Sequence, residues 1–244
     1  MKIEKFKKLK NGQYTLILAD DSTLNVHEDL ILKYNLLITK HINNQLKTQL
    51  LEENKIYMAY DQALKYLNTK MRSIGEMKSY LQKGYEEEII NNVVNRLITE
   101  KYLDDKKYCL SFINDKIILS NDGPLKIIQE LQKKDVDNNF IVENIQIYTD
   151  EIQKEKIKKL IIKQIKSNHN KSSFILKRKI LEYLVNLGHE KSIIIDQLNE
   201  VYDFNDEQVR QKEYEKTYKK LSQKYTGYEL EQRIKKKMYE KGFR

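Results

Sequence analysis

The chain is expected to be mainly α, with tandem three-helix repeats in an elongated array preceded by a small N-terminal antiparallel β segment. Three observations predict this class. Helix-stop signals recur at a nearly constant period, apolar residues keep one phase around each stop, and helix-start signals stand upstream of the stops.

The stops come first. Lys83-Gly84-Tyr85, Leu187-Gly188-His189 and Lys241-Gly242-Phe243 each close a helical apolar pattern, at the position where a left-handed backbone favours Gly. Lys134-Asp135-Val136 puts Asp in the same place. The four stops are separated by 51, 53 and 54 residues. A stop copied four times at that period implies stacked helical units.

Around the stops, Tyr80, Leu131, Leu184 and Met238 stand four residues upstream. Ile89-Ile90, Phe140-Ile141 and Ile193-Ile194 stand five and six residues downstream, and Val94, Ile145 and Leu198 ten residues downstream. This spacing lays one face of a helix on a core. Ser73-Ile74-Gly75-Glu76 and Thr226-Gly227-Tyr228-Glu229 match the capping box, and Gly123-Pro124 places proline at a helix start.

The elements follow in order. Residues 13–18 and 22–26 alternate apolar and polar side chains between the turn-prone Asn11-Gly12 and Ala19-Asp20-Asp21, which reads as an antiparallel sheet. A lone hairpin is marginal in water, and the helical period of Leu30 to Ile42 offers support. Together these form an N-terminal region over 1–50. Repeat one spans 56–104 with a first helix at 56–68; repeat two spans 105–150 with a first helix at 105–119. Repeat three spans 151–205 with a first helix at 151–168, and repeat four, 206–244, is partial, with a first helix at 206–223.

Composition narrows the function classes. A charged fraction of 33% and a mean hydropathy of −0.72 suit a chain with much solvated surface. No apolar run approaches the length of a membrane span, and Met1-Lys2-Ile3-Glu4-Lys5 is too charged to open a signal peptide, so a cytoplasmic protein without membrane contact is expected. The single Cys109 sits on an apolar face and reads as core. His27, His41, His169 and His189 are scattered, and neither a P-loop nor a metal-binding motif occurs. Asp104-Asp105 and Glu86-Glu87-Glu88 read as helix starts. No catalytic residue, cofactor or metal is expected; the pattern is that of a binding protein.

Charge is divided unevenly. Residues 1–150 hold 22 Lys+Arg and 22 Asp+Glu, whereas residues 151–244 hold 23 and 14, so the net +9 lies in the last two repeats. Dense spots are 154–159, 177–179 and 233–237. A segregated surplus fits a polyanionic partner, either nucleic acid or a protein coated on it; lysines solvating the outer faces of helices would give the same clusters one by one. Tyr214, Tyr218, Tyr225 and Tyr228 interleave with these cations and read either as base-stacking residues or as core and rim of the last repeat.

The first repeat carries a family resemblance. Ala63-Leu64-Lys65-Tyr66-Leu67, Lys70-Met71-Arg72-Ser73-Ile74-Gly75-Glu76-Met77, Tyr80-Leu81-Gln82-Lys83-Gly84-Tyr85 and Tyr102-Leu103-Asp104-Asp105-Lys106-Lys107-Tyr108 resemble, in order and spacing, the RecX family of regulatory proteins. Lys70 and Cys109 depart from that pattern, as does Asp135 in the second repeat. The resemblance implies a modulator of the RecA recombinase that lodges in the RecA filament on single-stranded DNA and inhibits ATP hydrolysis and strand exchange. Residue by residue it points to Arg72 and Ser73, the latter equally a helix cap. On charge alone Lys177, Arg178, Lys179, Arg233, Lys236, Lys237 and Arg244 are added as candidate contacts, in a chain expected to act as a monomer. A nucleic-acid-binding helical protein acting without RecA stays open, since a three-helix unit with a tight turn also resembles a helix-turn-helix.

Overall fold

The structure, a computed structural model, describes residues 1–10, 12–168, 172–201 and 206–243. The chain divides into two compact units, residues 1–108 with 134–137 and residues 109–133 with 138–244.

The first unit opens with a three-stranded antiparallel sheet in the order β1-β2-β3: β1 (Ile3–Lys8), β2 (Gln13–Leu18) and β3 (Thr23–His27). Strands β2 and β3 fall where the alternation placed them. Strand β1 was hidden because its register shifts between Ile3 and Lys5, so its inward residues, Ile3 and Phe6, are not two apart. The helical stretch expected over 30–42 is two short helices, α1 (Glu28–Lys33) and α2 (Leu36–Thr39), because Asn35 and Lys40 adopt left-handed backbone, with φ of 49° and 51°.

Helix α3 (Asn44–Leu67) starts twelve residues before the expected 56, capped by Asn43, whose Oδ1 accepts the Leu46 N–H at 2.7 Å. It serves two cores. Its N-terminal half sends Leu50 into a cluster with Leu16, Leu18, Leu24, Val26 and Leu36 beneath the sheet. Its C-terminal half sends Ala59, Tyr60 and Ala63 against α4 (Ile74–Leu81) and α5 (Glu87–Thr99), where Met77, Leu81, Val93 and Leu97 are buried. Each buried Leu, Val or Met here contributes about 1.5–3 kcal/mol on burial.

Helix α6 (Asp105–Leu119) leads into the second unit, followed by α7 (Pro124–Gln132), α8 (Asn138–Ile145), α9 (Asp150–Ser167), α10 (Ser173–Asn186), α11 (Lys191–Val201), α12 (Glu207–Leu221) and α13 (Gly227–Glu240). No described residue from 56 onward lies in a strand. Cys109 is fully buried, its Sγ 3.6 Å from the Phe140 carbonyl oxygen. Ile157, Ile161, Leu184, Ile194 and Leu198 form the core of the third repeat, and Leu230, Ile234, Met238 and Phe243 that of the fourth.

The stop signals divide into two kinds. Gly188 and Gly242 are left-handed, with φ of +82° and +81°. Each is followed by a 6→1 bond, His189 N–H to Leu184 O at 3.2 Å and Phe243 N–H to Met238 O at 3.0 Å, which is the Schellman closure. Asp135 also adopts positive φ, 59°. Gly84 does not, contrary to expectation; Tyr85 N–H reaches only Leu81 O, so the end of α4 is closed by right-handed turns.

The start signals are equally divided. Ser73 and Glu76 form the capping box in full. Thr226 makes no side-chain cap bond, because Gly227 beside it takes a φ of +57° and turns the chain away from box geometry.

Starts and stops meet in space. Within the first unit a Cβ on Gly75, at the start of α4, would lie 2.4 Å from Asp135 Cβ. Within the second, Gly123 N–H donates to Leu187 O at 2.7 Å and Leu125 N–H to Gly188 O at 3.1 Å, so the exposed amides of α7 satisfy the last carbonyls of α10. A Cβ on Gly242 would fall 2.4 Å from Ser172 Oγ, at the start of α10. The glycines recur because a helix start of one repeat touches a helix stop of the next.

Candidate partner-binding surface

The two residues singled out by the family pattern lie at one of these joints. Ser73 is fully buried; its Oγ accepts the Glu76 N–H at 3.0 Å and donates to Lys134 O at 2.7 Å. The Arg72 guanidinium lies 3.9 Å from the Tyr66 ring, which itself stacks on Tyr80 at 4.0 Å. Arg72 Nη2 donates to Thr69 Oγ1 at 3.1 Å, and Nη1 stands 3.9 Å from Glu76. Only 14% of the Arg72 side chain is exposed, and its Nε is buried with no partner among the described residues.

Glu76 gathers the joint. Burial alone would raise its pKa, but the Lys134 ammonium at 2.8 Å and the Ser73 N–H hold it below the usual carboxylate range. Burial, and then the Glu76 charge, push the Tyr108 phenol up. Asp104 caps α6 through Lys107 N–H at 3.0 Å, while Asp105 reaches across to accept the Ile74 N–H at 2.8 Å. The run from Tyr102 to Tyr108 therefore ties the first amide of α4 to the start of α6.

The basic clusters are not equivalent. Lys156, inside the run 154–159, is structural: its Nζ donates to Ser120 O at 2.9 Å, at the C-terminal end of α6, and burial lowers its pKa. Lys158 pairs with Glu200 at 3.0 Å and Lys159 with Glu155 at 3.7 Å. On α10, Lys177 donates to Asn199 Oδ1 at 2.9 Å and Arg178 stands 3.6 Å from Glu182, whereas Lys179 is exposed with no partner among the described residues. On α13, Arg233 pairs with Glu229 at 2.9 Å and lies over Tyr225, and Lys237 pairs with Glu240 at 2.7 Å; Lys236 is exposed and unpaired among the described residues. Arg244 and His169 lie outside the described residues.

Two further cations were not among the candidate contacts, although Lys235 belongs to the dense run 233–237. Arg210 on α12 and Lys235 on α13 are exposed, carry no ion pair among the described residues, and line one groove with Tyr214 and Tyr239. Arg210, Tyr214 and Tyr218 recur every four residues, a stripe legible in the sequence as one helix face. Of the four interleaved tyrosines, Tyr214, Tyr218 and Tyr228 are exposed, and Tyr225 packs against the core of the fourth repeat.

Fold and surface thus define a helical-repeat protein with a small sheet at its start and a basic surface on its last repeats. A family model described as the first three-helix domain of RecX matches residues 59–97. "Regulatory protein RecX" of Halalkalibacterium halodurans is 31% identical over 252 residues, covering 97% of this chain and 92% of that protein. The protein of the same name from Oceanobacillus iheyensis is 31% identical over 247 residues, covering 97% and 90%. Among solved structures, a crystal structure of regulatory protein RecX aligns with a TM-score of 0.68 at 22% identity, over 82% of this chain and 98% of that one. RecX from Lactobacillus salivarius aligns with a TM-score of 0.56 at 29% identity, over 60% and 96%. The chain belongs to the RecX family of regulatory proteins.

Proposed function

We propose that this protein binds the RecA filament on single-stranded DNA and lowers its ATPase and strand-exchange activity, acting in the cytoplasm as a monomer. The observation that carries this reading is the extent of the family relationship, which takes in the N-terminal sheet and the repeats together, 97% of the chain. Charge supports it. The surplus of nine cations over acids in residues 151–244 suits a filament that presents DNA phosphates and acidic protein surface. In this reading Lys179 and Lys236 meet the partner directly. Arg72 and Ser73 contribute by holding the joint that shapes the first repeat.

The test is RecA ATPase on single-stranded DNA with substoichiometric protein; inhibition is expected, and unchanged hydrolysis would overturn the reading. Direct nucleic-acid binding without RecA is the second reading, favoured by the unpaired Arg210 and Lys235 beside exposed tyrosines. A protein that binds bare oligonucleotides yet leaves RecA hydrolysis untouched would decide for it.

A further inference from the structure

Helices α12 and α13 enclose a groove of about 410 Å³. Its floor is apolar, with Ile234 and Met238 only 4% and 7% exposed. Its walls are aromatic: Tyr214 and Tyr239 line it while remaining 43% and 67% exposed. Large phenol rings left in water, over an apolar floor, are surface that has not found its contact.

The rim decides the occupant. Arg210 and Lys235 stand on it without ion pairs among the described residues, whereas Arg233, Lys237 and Lys241 on the same helix or just beyond it are each neutralised by a glutamate. Glu231 shares the rim and can accept hydrogen bonds from exocyclic amino groups. Tyr218 extends the aromatic surface along α12, its ring 6.4 Å from that of Tyr214 at an interplanar angle of 20°. Aromatic faces for stacking beside cations for phosphates is the combination that single-stranded nucleic acid requires. An amphipathic helix of another protein would want the apolar floor but not two free cations.

We propose that the α12–α13 groove stacks unpaired bases of single-stranded nucleic acid between Tyr214 and Tyr239, with Arg210 and Lys235 holding the flanking phosphates. This gives the nucleic-acid side of the function its site and needs no RecA, so the two readings fail separately.

The experiment is fluorescence anisotropy of the full chain with three labelled probes of equal length: oligo-dT, an abasic strand and a duplex. Oligo-dT should bind about tenfold or more tighter than the abasic strand. Replacing both tyrosines, Tyr214→Ala with Tyr239→Ala, should bring oligo-dT to the abasic level and leave abasic binding unchanged. The corresponding Phe variants should retain binding, and because they preserve packing they keep the test valid if the Ala variants fold poorly by circular dichroism. Arg210→Ala and Lys235→Ala should each make the salt dependence shallower for both single strands. Equal binding of the oligo-dT and abasic strands would overturn the proposal, as would Ala variants that bind oligo-dT like the wild type. Tyrosine variants that lose RecA inhibition while binding oligo-dT normally would overturn it in favour of a protein-docking groove.

Discussion

Ala at Gly188 and at Gly84 should have opposite effects, although both glycines occupy the same place in the repeat. At Gly188 the backbone sits at φ +82°, which costs an L-residue about 1–2 kcal/mol. The added Cβ would also lie 2.4 Å from Lys126 N and 2.6 Å from Lys126 Cβ, and the backbone of α7 cannot rotate aside as a side-chain tip can. Overpacking of this kind costs roughly 1–3 kcal/mol, so Gly188→Ala should destabilise by about 2–5 kcal/mol. Gly84 has no positive φ and no atom within 4 Å of an added Cβ. There Ala only restricts the unfolded chain, a gain of about 0.4–1 kcal/mol. Gly123→Ala strikes the Gly188 carbonyl at 2.4 Å, so the double variant Gly123→Ala, Gly188→Ala should cost less than the two singles together, the joint being already open. Urea denaturation followed by far-ultraviolet circular dichroism reads the four variants against the wild type. If Gly84→Ala and Gly188→Ala lowered the midpoint alike, the joints would not be where the glycines act.

Asp135→Gly should stabilise the first unit by up to about 1 kcal/mol, because Asp135 holds a φ of 59° that Gly adopts without strain; an unchanged urea midpoint would show that its side chain compensates. His189 is buried with Nε2 donating to Asn121 O at 3.1 Å and Nδ1 unpartnered among the described residues, and burial, reinforced by Lys156 and opposed by the Asn121 carbonyl and Asp122, lowers its pKa. A lowered pKa means that its stability contribution is full above the unfolded value near 6.5 and drains away as pH falls below it, so thermal melts from pH 7.5 to 5 should fall more steeply for the wild type than for His189→Gln. Asp105→Ala should leave the Ile74 N–H without an acceptor and cost about 1–3 kcal/mol, while Asp105→Asn should be tolerated; equal losses on urea titration would point to the charge instead. Reversing Lys177, Arg178 and Lys179, or Arg233, Lys236 and Lys237, to Glu should weaken RecA inhibition more than reversing Lys106 and Lys107, as read by single-stranded-DNA-dependent ATPase.

What was legible in the sequence follows the strength of each local signal. Helices α6, α9, α10 and α13 carry apolar residues at helical spacing between caps, so their existence and phase could be read directly. Strand β1 could not, because a register shift breaks the alternation that identifies a strand. The front half of α3 was missed for a different reason: it buries only Leu50 and Asn54 before residue 56, too few points for a period. Asn54 is itself informative only in three dimensions, where its Oδ1 accepts the His27 N–H at 2.7 Å. The break between α1 and α2 rests on left-handed Asn35 and the end of α2 on left-handed Lys40, and Lys gives no hint of that conformation. Gly recurrence was visible, but its cause was not: a cap glycine needs positive φ, whereas Gly75 and Gly123 have ordinary φ and are required by a neighbouring backbone.

The same distinction governs the charged surface. A lysine count locates a surplus without telling which cations are already spent, and part of the pairing on this surface is local. Arg178, Arg233 and Lys237 each have a glutamate three or four residues along the same helix, a spacing visible in the sequence. Such exposed pairs contribute little to stability, about 0.3–0.5 kcal/mol, but each lowers the field available to a polyanion. Arg210, Lys235 and Lys236 have no pair among the described residues, and the first two share the rim of the tyrosine-walled groove. Ranking cations by unpaired exposure instead of by density therefore moves the expected contact from the 177–179 cluster, and from Arg233 and Lys237, to Arg210 and Lys235 at that groove. Neutralising Arg210 and Lys235 should then reduce the salt slope of single-strand binding more than neutralising Arg233 and Lys237, although each pair removes two charges.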